Sequence, residues 1–328
     1  MVRRSIVHGF EAMHVEALVA SAFFLLFLVI GGSAQPLVPA IITFGDSSVD
    51  VGNNDYLHTI FKANCPPYGR DFKNHASGKN LLIGANFASA ASGYYDDTAN
   101  LYHAIPLSQQ LYYYKQYQSK LAKVAGYSQA SSIISGALYI VSSGSSDFLQ
   151  NYYINPYLYK MYTPDQFSSI LIGIYSKFIK DLYILGARKI GVTSLPPFGC
   201  VPAAITLFGH GSNQCVSRLN QDAKNFNWKL NATTISLSMQ LPNLTIVVFD
   251  IYEPFYDLVT APSKQGFFEA RRGCCGTGTI ETTTLLCNRK SIGTCPNATG
   301  YVFWDSVHPS EAANQVLANT LITQGINL

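Results

Sequence analysis

The chain has 328 residues, of which 48% are hydrophobic and only 12% charged, and its formal net charge is +3. These values predict a large apolar core, and the absence of a dense basic stripe argues against a nucleic-acid partner. Short basic clusters such as "ARRGCC" are interpreted as charges on solvated loops. Nothing in the interior resembles a linker, so we predict a single domain over residues 35–328.

The first 34 residues have the pattern of a secretory signal peptide. Arg3 and Arg4 supply positive charge, residues 17–30 are an unbroken run of apolar and small residues, and residues 32–34 read Gly-Ser-Ala, a small-residue cleavage site. A membrane anchor is the alternative, but the apolar run is shorter than the roughly 20 residues that a spanning helix needs. We therefore predict an exported protein with no integral membrane span after cleavage.

Along the rest of the chain, short apolar runs alternate with longer amphipathic stretches. The predicted strands cover residues 40–44, 137–142, 189–193 and 245–250, and the predicted helices cover residues 107–124, 164–184, 214–239 and 310–322. Strands separated by helices predict right-handed crossovers and a mostly parallel sheet that is buried on both faces. In such a sheet, ligands bind at the carboxyl ends of the strands.

Unusual polar residues follow three of these strands. Asp46 and Ser47 come after the first strand, residues 145–147 read Ser-Ser-Asp after the second, and Asp250 ends the fourth. A serine hydroxyl becomes an effective nucleophile only with a base within hydrogen-bond reach and a third group that orients the base. Its position at a strand end makes Ser47 a candidate nucleophile.

Asp305 and His308 in "FWDSVHPSEAA" can supply the other two groups. They lie three residues apart in a turn closed by Pro309, so the carboxylate can contact one imidazole nitrogen while the other faces a nucleophile. By itself this pattern also fits a turn before the last predicted helix, which Ser310 can cap. The pair therefore needs support from the rest of the chain.

That support comes from a resemblance to a known family. The stretches "FGDSSVDVGNN" and "FWDSVHP" resemble the first and last motifs of the plant GDSL-type esterase/lipase proteins, within the SGNH hydrolase superfamily. Four intervening stretches resemble that family in the expected order: "GANFASAASGYYDD", "ALYIVSSGSSDFLQNYY", "LGARKIGVTSLPPFGCVPA" and "RGCCGTGTIE". The resemblance covers nearly all of residues 38–326. It implies the SGNH hydrolase fold, a flavodoxin-like three-layer α/β sandwich with a mostly parallel central sheet flanked by helices.

The resemblance also implies an activity and a location. It predicts hydrolysis of acyl or acetyl esters through an acyl-enzyme, with Ser47 as nucleophile, His308 as general base and then acid, and Asp305 as the group that fixes the imidazole tautomer. Ser47 is expected in a strand-to-helix turn whose helix start supplies backbone donors. Together with the signal peptide, the resemblance predicts secretion to the cell wall or apoplast.

The predicted oxyanion hole departs from the family pattern. The family uses the amide of the nucleophile, here Ser47, the amide of a glycine and the side chain of an asparagine. Ala91 occupies the glycine position, with Gly93 two residues later, and Ser146 occupies the asparagine position. Serine reaches less far than asparagine, and the loss of one oxyanion donor costs about 100- to 1000-fold in turnover. The sequence is thus compatible with a slow enzyme.

A family segment is missing near residues 75–76, where "ASGKNLLIGANFASA" follows "CPPYGRDFKNH" almost at once. The missing piece resembles core-facing helix, so its absence is expected to leave a groove or to weaken the edge of the sheet. We interpret the gap as a splice variant or an imperfect gene model. Sequencing of the transcript tests this interpretation.

Seven cysteines in an exported chain predict two or three local disulfides with an odd cysteine left over. Cys200 and Cys215 bracket a short loop, and Cys65 is the predicted free thiol. A zinc site is the alternative, but adjacent cysteines without a CxxC or HxxxH pattern fit tetrahedral ligation poorly. The other four cysteines crowd one Gly- and Thr-rich segment, at Cys274, Cys275, Cys287 and Cys295.

Three sequons begin at Asn231, Asn243 and Asn297 and predict glycosylation, in agreement with passage through the secretory route. No phosphate loop or metal-ligand pattern is visible, so neither a cofactor nor a metal is predicted. The tyrosine-rich stretches "LYYYKQYQ" and "LQNYYINPYLYKMY" are interpreted as packing residues rather than as the lining of an acyl or sugar site.

The expected substrate is a small-molecule, lipid or carbohydrate ester, and two alternatives to a hydrolase stay open. The substitutions at Ala91 and Ser146, with the short segment, also fit a catalytically impaired extracellular binding protein. An acyltransferase that uses Ser47 shares all chemistry up to the acyl-enzyme, so the sequence does not separate it from a hydrolase. The sequence carries no signal for an oligomeric state.

Overall fold

The apolar runs that predict strands form one central sheet. The computed structural model describes residues 37–70, 77–281, 287–288, 290–325 and 328, so the predicted signal peptide and the gap near residues 75–76 lie outside the described residues. The sheet strands are β1 Ile41–Gly45, β2 Gly84–Asn86, β3 Leu138–Ser142, β4 Lys189–Thr193 and β5 Thr245–Phe249. Four of them confirm the predicted strands to within one residue. Strand β2 was not predicted, because three residues are too few to show a periodic pattern of apolar residues.

All five strands are parallel, in the order β2-β1-β3-β4-β5. In the register of the sheet, Ile41 of β1 lies opposite Gly84 on one side and Leu138 on the other. Because the strand order reverses at β1, right-handed crossovers place helices on both faces. The mostly parallel α/β sheet that the sequence and the resemblance predict is therefore confirmed.

Nine α-helices accompany the sheet in the described residues. They are α1 Asp96–Asn100, α2 Leu107–Ala125, α3 Tyr127–Gly136, α4 Pro156–Met161, α5 Pro164–Ile184, α6 Pro202–Phe208, α7 Ser217–Gln240, α8 Tyr252–Thr260 and α9 Glu311–Gln324. Helices α2, α5, α7 and α9 confirm the predicted helices, and Ser310 caps α9 by accepting a hydrogen bond from the amide of Ala313, as expected. Among the described helices, none is sufficiently long and apolar to cross a bilayer.

The structure also contains a second sheet, of two parallel strands, that the sequence did not predict. It pairs β6 Glu269–Gly273 with β7 Tyr301–Phe303. The basic cluster "ARRGCC" was interpreted as a solvated loop, but Arg271 and Arg272 belong to β6. The loop assignment is wrong because the flanking Ala270 and Gly273 are buried, which gives this stretch one inward face, whereas Arg272 is exposed as interpreted. Strand β7 leads directly into the loop that carries Asp305 and His308.

Three disulfides confirm the cysteine predictions, and Cys65 is the free cysteine. The bridges join Cys200 to Cys215, Cys274 to Cys295 and Cys275 to Cys287. Cys274 and Cys275 also donate their amides to the carbonyls of Phe303 and Trp304. The cross-linked loop therefore supports the beginning of the segment that carries Asp305. Residues Val38–Leu328 form one compact unit.

Candidate active site

Ser47 lies on a tight turn at the carboxyl end of β1. Gly45 has a φ of 141°, and a Cβ built on it would lie 1.8 Å from the carbonyl oxygen of Ser142, so the chain needs glycine here. The amide of Asp46 continues the ladder to the Ser142 carbonyl at 2.9 Å. The side chain of Gln110 donates to the Gly45 carbonyl and accepts from its amide. These contacts hold the serine at the edge of the sheet.

The expected helix start directly after Ser47 is absent from the described chain. Residues 46–49 form a turn, and the first helical element is the single 3-10 turn Asn53–Tyr56. The Asp50 carboxylate accepts the amides of Gly52 and Asn53 at 2.9 Å and that of Ala90 at 2.9 Å. This side chain therefore ties the backbone after Ser47 to the loop after β2.

Asp305 and His308 lie in the loop between β7 and α9. Asp305 Oδ1 accepts the amides of Val307 at 2.8 Å and His308 at 2.7 Å, and the Trp304 amide donates to the His308 carbonyl at 2.9 Å. The loop thus folds around the carboxylate, which is fully buried. The local turn that the Asp-x-x-His spacing predicts is confirmed.

The structure brings the three predicted triad residues together. His308 Nδ1 lies 2.9 Å from Asp305 Oδ2, and His308 Nε2 lies 2.8 Å from Ser47 Oγ. An ionised carboxylate only accepts hydrogen bonds, so Nδ1 carries the proton in neutral His308 and Nε2 can accept from the serine hydroxyl. Ser47 therefore has a base in contact, and the base is oriented by a carboxylate.

The electrostatics of the pair favour an ionised aspartate beside a readily protonated histidine. Burial opposes the charge of Asp305, but the charge of His308 and the hydrogen bonds from His308 and Tyr68 outweigh it and keep the pKa of Asp305 below its usual value. Burial also opposes protonation of His308. The charge and hydrogen bond of Asp305, with the charge of Asp46, nevertheless raise the pKa of the imidazole.

Asp46, the buried acid before Ser47, mainly holds the local backbone in place. Its Oδ1 accepts the amide of Ser48 at 3.0 Å, which closes the turn around Ser47. Burial raises the pKa of Asp46, although hydrogen bonds from Ser48 and the charge of His308 oppose the shift. The residue therefore shapes the turn that presents the serine.

Tyr68 is a site residue that the sequence reasoning missed. Its hydroxyl donates to Asp305 Oδ2 at 2.7 Å, and its ring meets the His308 imidazole edge to face with centroids 6.4 Å apart. Burial, followed by the charge and hydrogen bond of Asp305, raises the pKa of the Tyr68 hydroxyl, so the group stays a donor. The only signal in the sequence is the dense turn-forming run "CPPYG", which gives no partner.

A cavity of about 680 Å³ opens beside Ser47 and His308. Polar groups line it near the serine, including Ser145, Ser146 and Gln150. The remaining lining is largely apolar, a composition typical of small-molecule and lipid sites. The apolar lining includes Leu149, Phe198, Val201, Phe208, Phe255 and Leu317.

The four predicted oxyanion residues fall into two pairs. Ser47 and Ser146 line the cavity, whereas Ala91 and Gly93 do not. Ala91 is fully buried and has a φ of 64°, a left-handed conformation that glycine adopts without strain and alanine adopts at a cost of about 1–2 kcal/mol. A Cβ on Gly93 would lie 2.1 Å from the Asp147 carboxylate. The Gly93 backbone thus lies against the Asp147 carboxylate.

The other acids at strand ends hold loops instead of lining the cavity. Asp147 accepts the amide of Tyr94 at 2.7 Å and the hydroxyl of Thr98 at 2.6 Å, while burial raises the pKa of Asp147 to about 7. Asp250 accepts the amide of Tyr252 at 2.9 Å at the start of α8. These acids therefore anchor the chain around the site.

The tyrosine-rich stretches divide as the packing interpretation predicts. Tyr114 and Tyr117 of the first stretch are buried in the core around the sheet. The second stretch contributes Leu149, Gln150 and Ile154 to the cavity, but none of its tyrosines lines it. Tyr153 packs against Phe198 and Phe208 of the cavity lining. The exposed tyrosines of the two stretches are Tyr112, Tyr113, Tyr157 and Tyr159.

Comparison with known proteins supplies the family. Residues 41–321 match the GDSL-like lipase/acylhydrolase family. The GDSL esterase/lipase APG of Arabidopsis thaliana is 61% identical to this chain over 90% of the chain and 93% of its own length. Two further GDSL esterases/lipases of the same plant are 57% and 55% identical over 90% of this chain and 91% and 94% of their own lengths. The chain therefore belongs to the GDSL-like lipase/acylhydrolase family of ester-bond hydrolases.

Proposed function

We propose that the protein is a secreted serine esterase/lipase that hydrolyses acyl or acetyl esters through an acyl-enzyme. The observation that carries this proposal is the chain of contacts from Ser47 through His308 to the buried Asp305, at the wall of an accessible cavity. A nucleophile, a base and an orienting acid in this arrangement are the elements of acyl transfer.

In the proposed reaction, Ser47 Oγ attacks the ester carbonyl carbon while its proton passes to His308 Nε2. Asp305 holds the imidazole by Nδ1 and stabilises the imidazolium that forms. When the tetrahedral intermediate collapses, His308 returns the proton to the departing alcohol and the acyl group stays on Ser47. Water then attacks the acyl-enzyme with His308 again as base, which releases the acid and regenerates the serine.

The proposed oxyanion donors are the Ser47 amide and the Ser146 hydroxyl, both at the cavity. No acceptor in the described part of the chain takes the Ser47 N–H. The amide of Ala91 or Gly93 is proposed as a further donor: neither residue is in the cavity lining, but neither amide has an acceptor among the described groups. Two or three donors aimed at one oxygen stabilise the charge that develops in the transition state.

The cavity supports an ester with an apolar acyl chain. Phe198, Val201 and Phe208 offer apolar contact beyond the polar residues around Ser47. Burying each methylene of a substrate chain against such a surface contributes about 0.8 kcal/mol. Lipid or small-molecule esters with such a chain are therefore favoured over acetylated carbohydrates.

Hydrolysis of p-nitrophenyl esters from acetate to dodecanoate, by protein purified from a secretory host, tests the proposal. We expect turnover with the wild type and none above background with Ser47→Ala. A folded wild type that matches Ser47→Ala on every ester would overturn the esterase proposal and favour a binding protein. Product analysis with an added alcohol distinguishes the alternatives, because an acyltransferase yields a new ester and a hydrolase yields the free acid.

Secretion and glycosylation are part of the same proposal. Three disulfides fit an oxidising compartment, and Asn231, Asn243 and Asn297 are all exposed. Asn243 lies in the loop between α7 and β5, and Asn297 precedes a 3-10 turn. We expect the protein in the cell wall or apoplast with residues 1–34 removed. Sequencing the N-terminus of the exported protein and treating it with an N-glycosidase test both points.

A further inference from the structure

The Asp305 carboxylate is enclosed on every side by groups of the protein. Its Oδ1 accepts two amides of its own loop, whereas Oδ2 accepts His308 Nδ1 at 2.9 Å and the Tyr68 hydroxyl at 2.7 Å. Tyr68 is the one of these donors that comes from a distant segment, 237 residues away in sequence. Because Asp305 is fully buried, bulk water does not replace a donor that is lost.

The segment that carries Tyr68 is itself held in place. A Cβ on Gly69, which has a φ of 60°, would lie 2.6 Å from the carbonyl oxygen of Val51, so this turn packs closely against the loop after Ser47. Arg70 forms an ion pair with Glu311 of α9 at 3.0 Å. Contacts on both sides of Tyr68 thus restrain the segment that carries it.

We infer that Tyr68 is a positioning residue of the site, and this inference rests on the proposed Ser47–His308–Asp305 mechanism. Its hydroxyl keeps Oδ2 of Asp305 aimed at Nδ1 of His308 and withdraws part of the negative charge from the imidazole. The ring, packed edge to face on His308, restricts rotation of the imidazole away from Ser47.

This role has a signature in the pH dependence. Loss of the hydroxyl leaves more negative charge on Asp305, which stabilises protonated His308 and raises its pKa. The other groups that face His308 are Asp46 after β1 and Asp305 itself, and the Arg70–Glu311 pair lines the same cavity. None of these groups changes in Tyr68→Phe, so a shift in the pKa of His308 can be assigned to the missing Tyr68 hydroxyl.

The experiment compares Tyr68→Phe with the matched variant Tyr117→Phe. Tyr117 donates its hydroxyl to the Leu81 carbonyl at 2.7 Å in the core, so both variants lose one hydroxyl that donates to an oxygen. For Tyr68→Phe we expect kcat to fall roughly 10-fold or more, KM to stay within about twofold, and the acid limb of kcat/KM to move to higher pH. Tyr117→Phe should lower only the stability of the protein and leave the acid limb of kcat/KM unchanged.

A double-mutant cycle with Asp305→Asn separates positioning from a general structural effect. If Tyr68 acts through Asp305, Tyr68→Phe has little further effect on kcat in the Asp305→Asn background. Equal losses in both backgrounds, or a wild-type acid limb in Tyr68→Phe, would overturn the inference. NMR titration of the His308 ring reads the same pKa change without turnover. The two proposals can therefore fail separately. If the His308 titration shifts in Tyr68→Phe but the wild type hydrolyses no ester, the proposed function is wrong and the coupling between Tyr68 and Asp305 still holds.

Discussion

The hydroxyl oxygen of Ser47 lies 2.8 Å from Nε2 of His308, although the two residues are separated by 261 positions in the chain. Ser47 reaches this point on the turn after β1, and His308 reaches it on the loop between β7 and α9. The contact joins the turn after the first strand to the loop before the last described helix. The activity of the protein is therefore expected to depend on the integrity of the whole domain.

Asp305→Asn tests the orienting acid. Asparagine keeps the size of the side chain, but its amide cannot stabilise the imidazolium and favours the wrong tautomer of His308. We expect kcat to fall by about 10⁴-fold while the far-ultraviolet circular dichroism stays that of the wild type. Steady-state hydrolysis of a p-nitrophenyl ester measures the loss, and a change below tenfold would remove Asp305 from the mechanism.

The pH dependence of kcat/KM follows from the raised pKa of His308. In the proposed mechanism His308 acts as a base only when neutral, so activity should rise with pH through one ionisation whose midpoint lies above the ordinary histidine value near 6.5. Asp305 stays ionised throughout because its pKa is lowered. A pH–rate profile of the free enzyme checks the midpoint. A midpoint at or below 6.5 would contradict the ion pair described above.

Ser146→Ala tests the proposed side-chain donor of the oxyanion hole. Removing a donor that acts in the transition state should lower kcat by roughly 100-fold with little change in KM. Ser143→Ala is the matched control. Ser143 is buried near Ser146 but does not line the cavity, and its Oγ has no hydrogen-bond partner among the described residues. Equal kcat values for the two variants would show that Ser146 donates nothing to the oxyanion.

Gly45→Ala should disrupt the turn that presents Ser47. The new Cβ would lie 1.8 Å from the Ser142 carbonyl oxygen at a φ of 141°, so we expect the free energy of unfolding to fall by about 4 kcal/mol or more. Gly173 in α5 is exposed with open space around it, so Gly173→Ala should instead stabilise the protein by about 0.5–1 kcal/mol. Urea unfolding of both variants measures this difference in stability. Similar unfolding midpoints for the two variants would contradict the prediction.

The Cys200–Cys215 disulfide should contribute measurably to stability. It closes a loop of 15 residues, for which loop entropy predicts about 3 kcal/mol. The double variant Cys200→Ala/Cys215→Ala should therefore unfold at a lower urea concentration, whereas Cys65→Ala, which removes the free cysteine, should not. The bridge would have no stabilising role if the two midpoints coincided.

Several parts of the fold and of the site could be predicted from the sequence because their cause is local. Apolar runs at β1, β3, β4 and β5 and the cap at Ser310 act through neighbouring residues. The spacing of Asp305 and His308 allows one turn to bring carboxylate and imidazole together. These features depend on backbone geometry within a few residues, which periodicity and spacing express directly.

Only the tertiary structure decided which distant groups meet. The bond from Tyr68 to Asp305, the burial of Ala91 and the pairing of four crowded cysteines all depend on loops that converge from separate parts of the chain. Asp50 likewise binds the Ala90 amide across two loops, a contact that no spacing in the sequence expresses. The sequence alone supplied the candidate triad, four of the seven described strands and four of the nine described α-helices. Packing determined the environment of the triad, since burial and distant hydrogen-bond partners leave no periodic pattern along the chain.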